Sequence, residues 1–211
     1  YASQPSAGMV KLDAMENPFG LSSALKRALG ERLAEVAINR YPVNKGEVAA
    51  ALTQHFDVVH VTGPCVEPQD VPMQFRHLQS GLAYLTLTDK APYLYARGRG
   101  QVADGFELFR IGYGVDHDTF ASAPRCYTVI NSNSPRQLDI PMCMGLIDFA
   151  AAGQVSIITP FTLAGAMAPV TLAGALTLQH AEALAGVTLT QAVRPGAPVV
   201  YGAFTSNVDM K

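Results

Sequence analysis

The stretch that most limits the fold is Gln154–Lys211, QVSIITPFTLAGAMAPVTLAGALTLQHAEALAGVTLTQAVRPGAPVVYGAFTSNVDMK. A short apolar run (Val155, Ile157, Ile158) ends at Pro160 and gives way to a Thr/Gly/Ala loop. A long apolar helical segment follows, then the connector Arg194-Pro195-Gly196. A second apolar run, Val199-Val200-Tyr201, closes in Phe204-Thr205-Ser206-Asn207. Near-continuous apolar strands separated by a helix-length crossover are the pattern of a parallel sheet covered on both faces. The polar residues lie just past the C-terminal ends of the strands, where such sheets hold their ligands.

The same alternation extends upstream. Strands are predicted at 58–62, 92–96, 126–131, 155–159 and 198–204, with helices at 73–87, 102–113 and 141–152 between them. Five strands alternating with helices make an α/β chain, either a doubly wound sheet or a barrel segment, and periodicity does not choose. Residues 1–56 are expected to form an N-terminal segment apart from residues 57–211, and residues 1 to about 46 differ in character from the rest. Ser22 or Ser23 can cap a helix over 24–37, whose Leu25, Leu29, Leu33 and Val36 follow helical spacing. Asn39-Arg40-Tyr41-Pro42 ends it, because the residue before proline is pushed out of the helical region. Residues 47–56 fit one further helix.

Composition removes several classes of function. Of 211 residues, 49% are hydrophobic and 15% charged, so the chain is built to bury a core. With 15 basic and 17 acidic residues, nothing in the charge draws nucleic acid. Cys65, Cys126 and Cys143 are widely spaced without a Cys-x-x-Cys, as expected of reduced thiols in the cytoplasm. Phe149–Gln179 carries no charge and is longer than the ~20 residues of a membrane span. Pro160, Pro169, Gln154 and the lack of flanking Lys or Arg favour a strand, a loop and a buried helix instead.

Candidate chemistry collects at the strand ends. Asn131-Ser132-Asn133-Ser134-Pro135 follows the third strand and offers uncharged donors and acceptors for a small polar substrate; ordinary turn chemistry is the alternative. Phe161 with Thr162, and Phe204 with Thr205 and Asn207, follow the last two strands. The two phenylalanines can offer ring faces to a methylated ammonium, whereas Tyr201, in mid-strand, is expected in the core. Gly98-Arg99-Gly100-Gln101-Val102-Ala103 matches a dinucleotide fingerprint, but the acidic residue due at the next strand end is Asn131, so a tight strand-to-helix turn is expected there. The histidines have no metal spacing; His180 sits in an apolar helix as a packed or solvent-tipped side chain.

Several long motifs carry a resemblance. PFTLAGAMAPVTLAGAL, HAEALAG, RPGAPVVYG and FTSNVDMK, with Ile130–Pro135 and Leu85–Lys90 upstream, resemble the trimethylamine methyltransferase family over residues 57–211. These are corrinoid-dependent amine methyltransferases. The resemblance implies a partial (β/α)8 TIM barrel of about five β-α units, preceded by a short helical segment. It implies transfer of a methyl group from trimethylamine, or from a quaternary amine such as glycine betaine, to the Co(I) of a corrinoid (cobalamin). The corrinoid would be carried on a separate corrinoid-binding protein, with no cofactor or metal held directly by this chain. The substrate rim would consist of Asn131, Asn133, Phe161, Thr162, Phe204, Thr205 and Asn207. No catalytic residue is assigned, homo-oligomerisation is left open, and the pyrrolysine position of the trimethylamine members is expected beyond Lys211.

Residues 1–46 carry a second resemblance. LDAMENP and NRYP are similar to the N-terminal part of histidinol-phosphate aminotransferase, which uses pyridoxal phosphate. That resemblance implies a cofactor-phosphate contact for Tyr41, but it places no Schiff-base lysine in this chain. An aminotransferase fragment and an inactive chimera are therefore the alternative readings. A first residue that is Tyr and an end at Lys211, directly after a strand, are expected of a fragment. Residues 1–46 are expected to pack poorly on the segment that follows, and the strands of 57–211 to form one curved parallel sheet.

Overall fold

From Val155 to Ala164, ten consecutive residues alternate between half-buried and buried without a slip. That period of two is the signature of an extended chain with one face against a core. It covers strands β2 (Val155–Ile158) and β3 (Phe161–Ala164), and it passes through Pro160. The computed structural model describes residues 22–34, 45–63, 68 and 71–207. LDAMENP, NRYP with Tyr41, and Cys65 lie outside these.

The sheet grows outward from β2. Strand β1 (Tyr127–Ile130) pairs with it in parallel, Tyr127 opposite Val155, and β4 (Val199–Tyr201) pairs in parallel on its other edge. Strand β5 (Phe204–Asn207) pairs with β3, also in parallel, Phe161 opposite Phe204. The expectation of one continuous sheet is corrected here: β1-β2-β4 and β3-β5 are two sheets. The cause is Pro160, which has no N–H to donate to a ladder. Backbone bonds nonetheless bridge the break, from Gly202 N–H to Ile158 O (2.8 Å) and from Phe204 N–H to Pro160 O (3.0 Å). The loop expected after Pro160 is therefore strand.

The first two predicted strands are present only as single parallel bridges, Val61 with Ala91 and Tyr93 with Tyr127. Thr62 N–H reaches Ala91 O (2.9 Å) and Leu94 N–H reaches Tyr127 O (2.9 Å). The ladder stops there for local reasons. Pro92 has no N–H, and the N–H of Tyr93 goes to the Thr62 hydroxyl (2.8 Å) rather than to a carbonyl. Five parallel segments thus follow one another in chain order, which is an α/β arrangement with open sheets.

Helices α2 (Lys45–Gln54), α3 (Arg76–Leu87), α4 (Arg99–Gly112), α5 (His117–Ser122), α6 (Ile140–Ala151) and α7 (Leu172–Val193) complete this unit. A single 3-10 turn, Met73–Phe75, leads into α3. Their starts are written in the sequence: Asp116, Asp139 and Thr171 accept from the N–H groups of Thr119, Met142 and Gly174. Helix α5 was not anticipated, and α4 begins at Arg99, three residues earlier than expected, directly after Gly98 at φ 141°. On the helix-facing side Ile130, Leu146, Ile158 and Ala183 form one cluster, and Leu94, Val102, Phe109, Phe120, Cys126 and Phe149 another. Tyr84, Tyr93, Tyr127 and Ala50 form a third, against which Val129, Val155 and Ile157 pack.

The chain divides into two compact units, Tyr1–Pro42 and Val43–Lys211. In the first, α1 (Ser23–Ala34) is capped by the Ser22 hydroxyl, which accepts from Leu25 N–H (3.3 Å). Leu25 is 53% exposed; the side chains of Leu29 and Leu33 lie outside the described residues.

Candidate functional site

The parallel strands bring their C-terminal ends to one rim. Alternation along β2–β3 sets its two faces. Ile158, Pro160 and Thr162 are buried toward the helices, while Ile157, Thr159 and Phe161 are half-buried on the opposite face. On that opposite face the Thr159 hydroxyl donates to Asn131 Oδ1, joining the ends of β1 and β2. One step further, Phe161 and Phe204 stack in parallel, with ring centroids 4.6 Å apart and planes 7° apart. Phe204 is 55% exposed, so this aromatic pair is open to solvent.

The other predicted site residues divide differently. Thr162 is 0% exposed, and its hydroxyl lies 2.6 Å from that of Thr205, so the two satisfy each other across β3 and β5. Asn133 is exposed in a turn, with its N–H on Gln137 O (2.7 Å). Asn207 ends β5 opposite Ala164; its side chain lies outside the described residues. Exposed Asn131 and Phe204 and half-buried Phe161 thus lie on the face opposite the helices, whereas buried Thr162 and half-buried Thr205 pair with each other across β3 and β5. Tyr201 corrects an expectation. It is half-exposed rather than core, and its hydroxyl takes Gln179 Nε2 (2.7 Å) and meets His180 Nδ1 (3.1 Å). His180 is exposed, as a solvent-tipped side chain should be. The turn at Gly98 also holds no free guanidinium at Arg99, which pairs with Asp148 (2.9 Å).

Two residues were missed. Thr159 is expected only as the end of a strand, and its position one step before Pro160 puts its hydroxyl against Asn131. Glu182 is the more informative omission. It is the one acidic residue of α7, and it falls on the buried stripe Ala175, Gln179, Glu182, Ala183, Gly186, Thr190. Its carboxylate accepts from the hydroxyls of Ser132 and Ser134 (2.6 Å to Ser134) and from Arg136 N–H. A cavity of about 170 Å³ lies alongside, lined by Ser132, Arg136, Gln137, Leu138, Ala181, Glu182 and Ala185. A lone charge at a core position of an apolar helix is the sequence signal that could have found it.

Beneath the rim, Tyr93 packs edge-on to Tyr95 (4.7 Å) and Tyr127 (5.4 Å), and burial pushes its hydroxyl well above the ordinary phenol range. Arg97 lies over the Tyr95 ring at 4.6 Å. Among the described residues, no group of three or more His, Cys, Asp or Glu could hold a metal ion, and no helix is long and apolar enough to cross a membrane.

The sequence model of the trimethylamine methyltransferase family matches residues 40–211. A glycine betaine methyltransferase of Desulfitobacterium hafniense (strain Y51) is 38% identical over 149 residues, 71% of this chain and 31% of the relative. A trimethylamine methyltransferase of Methanosarcina mazei is 35% identical over 99 residues, 47% of this chain and 20% of the relative. A histidinol-phosphate aminotransferase of Methylibium petroleiphilum is 59% identical over 56 residues, 26% of this chain and 15% of the relative. The chain thus spans less than a third of the length of each of these relatives.

Proposed function

The chain belongs to the trimethylamine methyltransferase family, and from that premise we propose that it forms part of an enzyme that demethylates a methylated amine. Its five parallel segments would be consecutive β-α units of a (β/α)8 barrel. The observation that carries the functional reading is the open, stacked Phe161–Phe204 pair beside the uncharged Asn131–Thr159 pair at the strand ends. A quaternary ammonium has no N–H to donate, so hydrogen-bonding groups alone cannot hold it. An aromatic face attracts it by about 0.5–2 kcal/mol, and uncharged amides and hydroxyls can orient a polar group attached to it.

The acceptor would be the Co(I) of a corrinoid carried by a partner protein. The corrinoid would supply the nucleophile for the methyl group, and the nitrogen would leave with the electron pair of the C–N bond, as a neutral amine from a quaternary ammonium or from protonated trimethylamine. The residues described here would bind and orient the amine, and this positioning is itself a large part of catalysis. The exposure of Phe204 fits a rim that a second protein can approach. Glycine betaine and trimethylamine are the substrates to test first, since proteins named for each are among the relatives.

The test is a titration of the chain, labelled at phenylalanine, with tetramethylammonium, glycine betaine and trimethylamine, followed by NMR. Selective shifts of the Phe161 and Phe204 ring signals, absent with ammonium, are expected. Equal responses to ammonium and to the methylated amines would overturn the reading.

A further inference from the structure

We infer that Glu182 is the positioning residue of the amine rim: from α7 it holds the loop that carries Asn131 and Asn133. This rests on the reading of that rim as the amine site. Glu182 is 6% exposed, and a buried carboxylate is tolerated only when its oxygens are hydrogen-bonded. All three donors come from one loop: the Ser132 hydroxyl, the Ser134 hydroxyl and Arg136 N–H. Ser132 and Ser134 turn inward to the carboxylate, and the intervening Asn133 and the preceding Asn131 stay on the exposed side. The alternation means that fixing the serines fixes the asparagines.

Arg136 adds to the argument. It holds φ 60°, a left-handed conformation unfavourable for a side chain with a Cβ, and the Glu182 bond to its N–H compensates for that conformation. The turn is closed on its other side by Asn133 N–H to Gln137 O. Without the carboxylate, the serine hydroxyls and the Arg136 N–H would face an apolar helix, and the loop would move toward water to satisfy them. A role confined to stability would loosen the whole fold. A positioning role loosens the loop first and shows in amine binding.

The experiment compares the chain with Glu182→Gln, which keeps one acceptor oxygen, and with Ser134→Ala, which removes one donor from a half-buried site. Hydrogen exchange is read at residues 132–138 and, as an internal control, in α6 and β2. Affinity for glycine betaine and trimethylamine is measured alongside, with Phe161→Ala as reference. Faster exchange confined to 132–138, with amine affinity lowered about 10- to 100-fold for Glu182→Gln and less for Ser134→Ala, supports the inference. If Glu182→Gln does not fold, Ser134→Ala carries the same test. Unchanged loop exchange overturns it. Faster loop exchange with unchanged amine affinity also overturns it, provided Phe161→Ala weakens binding and so shows that the rim reading stands. If neither Phe161→Ala nor the loop variants alter binding, the rim reading fails and the inference with it.

Discussion

Replacing Gln154 by leucine should destabilise this fold more than most single changes. Gln154 is 0% exposed and sits between the end of α6 and the start of β2. Its Oε1 accepts from the N–H groups of Arg125 (2.7 Å) and Cys126 (3.2 Å), just before β1. Its Nε2 donates to the carbonyls of Phe120 (2.9 Å) and Ala152 (3.0 Å), tying α5 and α6 to the same point. One amide thus satisfies four backbone groups where the α5–β1 and α6–β2 connections meet. Leucine has nearly the same volume, so no large cavity forms, and the loss comes from unpaired backbone groups. At about 1 kcal/mol for each bond, with the buried N–H groups left unpaired costing the upper part of ~1–3 kcal/mol, the expected loss is about 4 kcal/mol. Urea unfolding followed by far-UV circular dichroism measures it. With a slope of about 2 kcal/mol per molar, the midpoint should fall by about 2 M. A fall of less than about 0.5 M would mean that water or a rearranged backbone replaces these bonds, and the argument would be refuted.

Two further outcomes follow from the same packing. Gly153 has φ 67°, and a Cβ there would lie 2.4 Å from the backbone oxygen of Ala121, so Gly153→Ala should cost about 2–4 kcal/mol, read by thermal unfolding. Burial raises the Tyr93 hydroxyl above its unfolded value, so the stability it contributes is fully present below pH ~10 and is lost as pH climbs beyond that. The urea midpoint measured between pH 9 and 12 should fall less steeply in Tyr93→Phe than in the parent chain.

Much of this fold could be read in the sequence, because its strands are short apolar runs bounded by proline and glycine. The positions of the five parallel segments were legible, as were α3, α6 and α7. What escaped was decided by single hydrogen bonds. The hydroxyl of Thr62 captures the Tyr93 N–H and reduces the second strand to a bridge. Pro160 interrupts a ladder without ending the extended chain, so a loop was expected where β3 runs. At the rim, only Asn131 follows a strand end as expected, whereas Phe161 and Phe204 begin strands of their own and stack on each other. Which face each side chain takes depends on the parity of burial through Pro160, and this separates Phe161 from Thr162. Glu182 was hidden because its three partners lie 46 to 50 residues away in sequence, where no local pattern reaches.

The central claim is that the Phe161–Phe204 rim presents a methylated amine to a corrinoid, and anaerobic spectrophotometry tests it most directly. The protein carrying this chain would be mixed with a corrinoid protein in the Co(I) state and with glycine betaine or trimethylamine, and the Co(I) absorbance followed. The account predicts loss of that absorbance with at least one of the two amines. It also predicts a slower loss for Phe161→Ala and Phe204→Ala, each by about tenfold, as expected for a cation–π contact near 1.4 kcal/mol. Identical rates in the parent and both variants would contradict it.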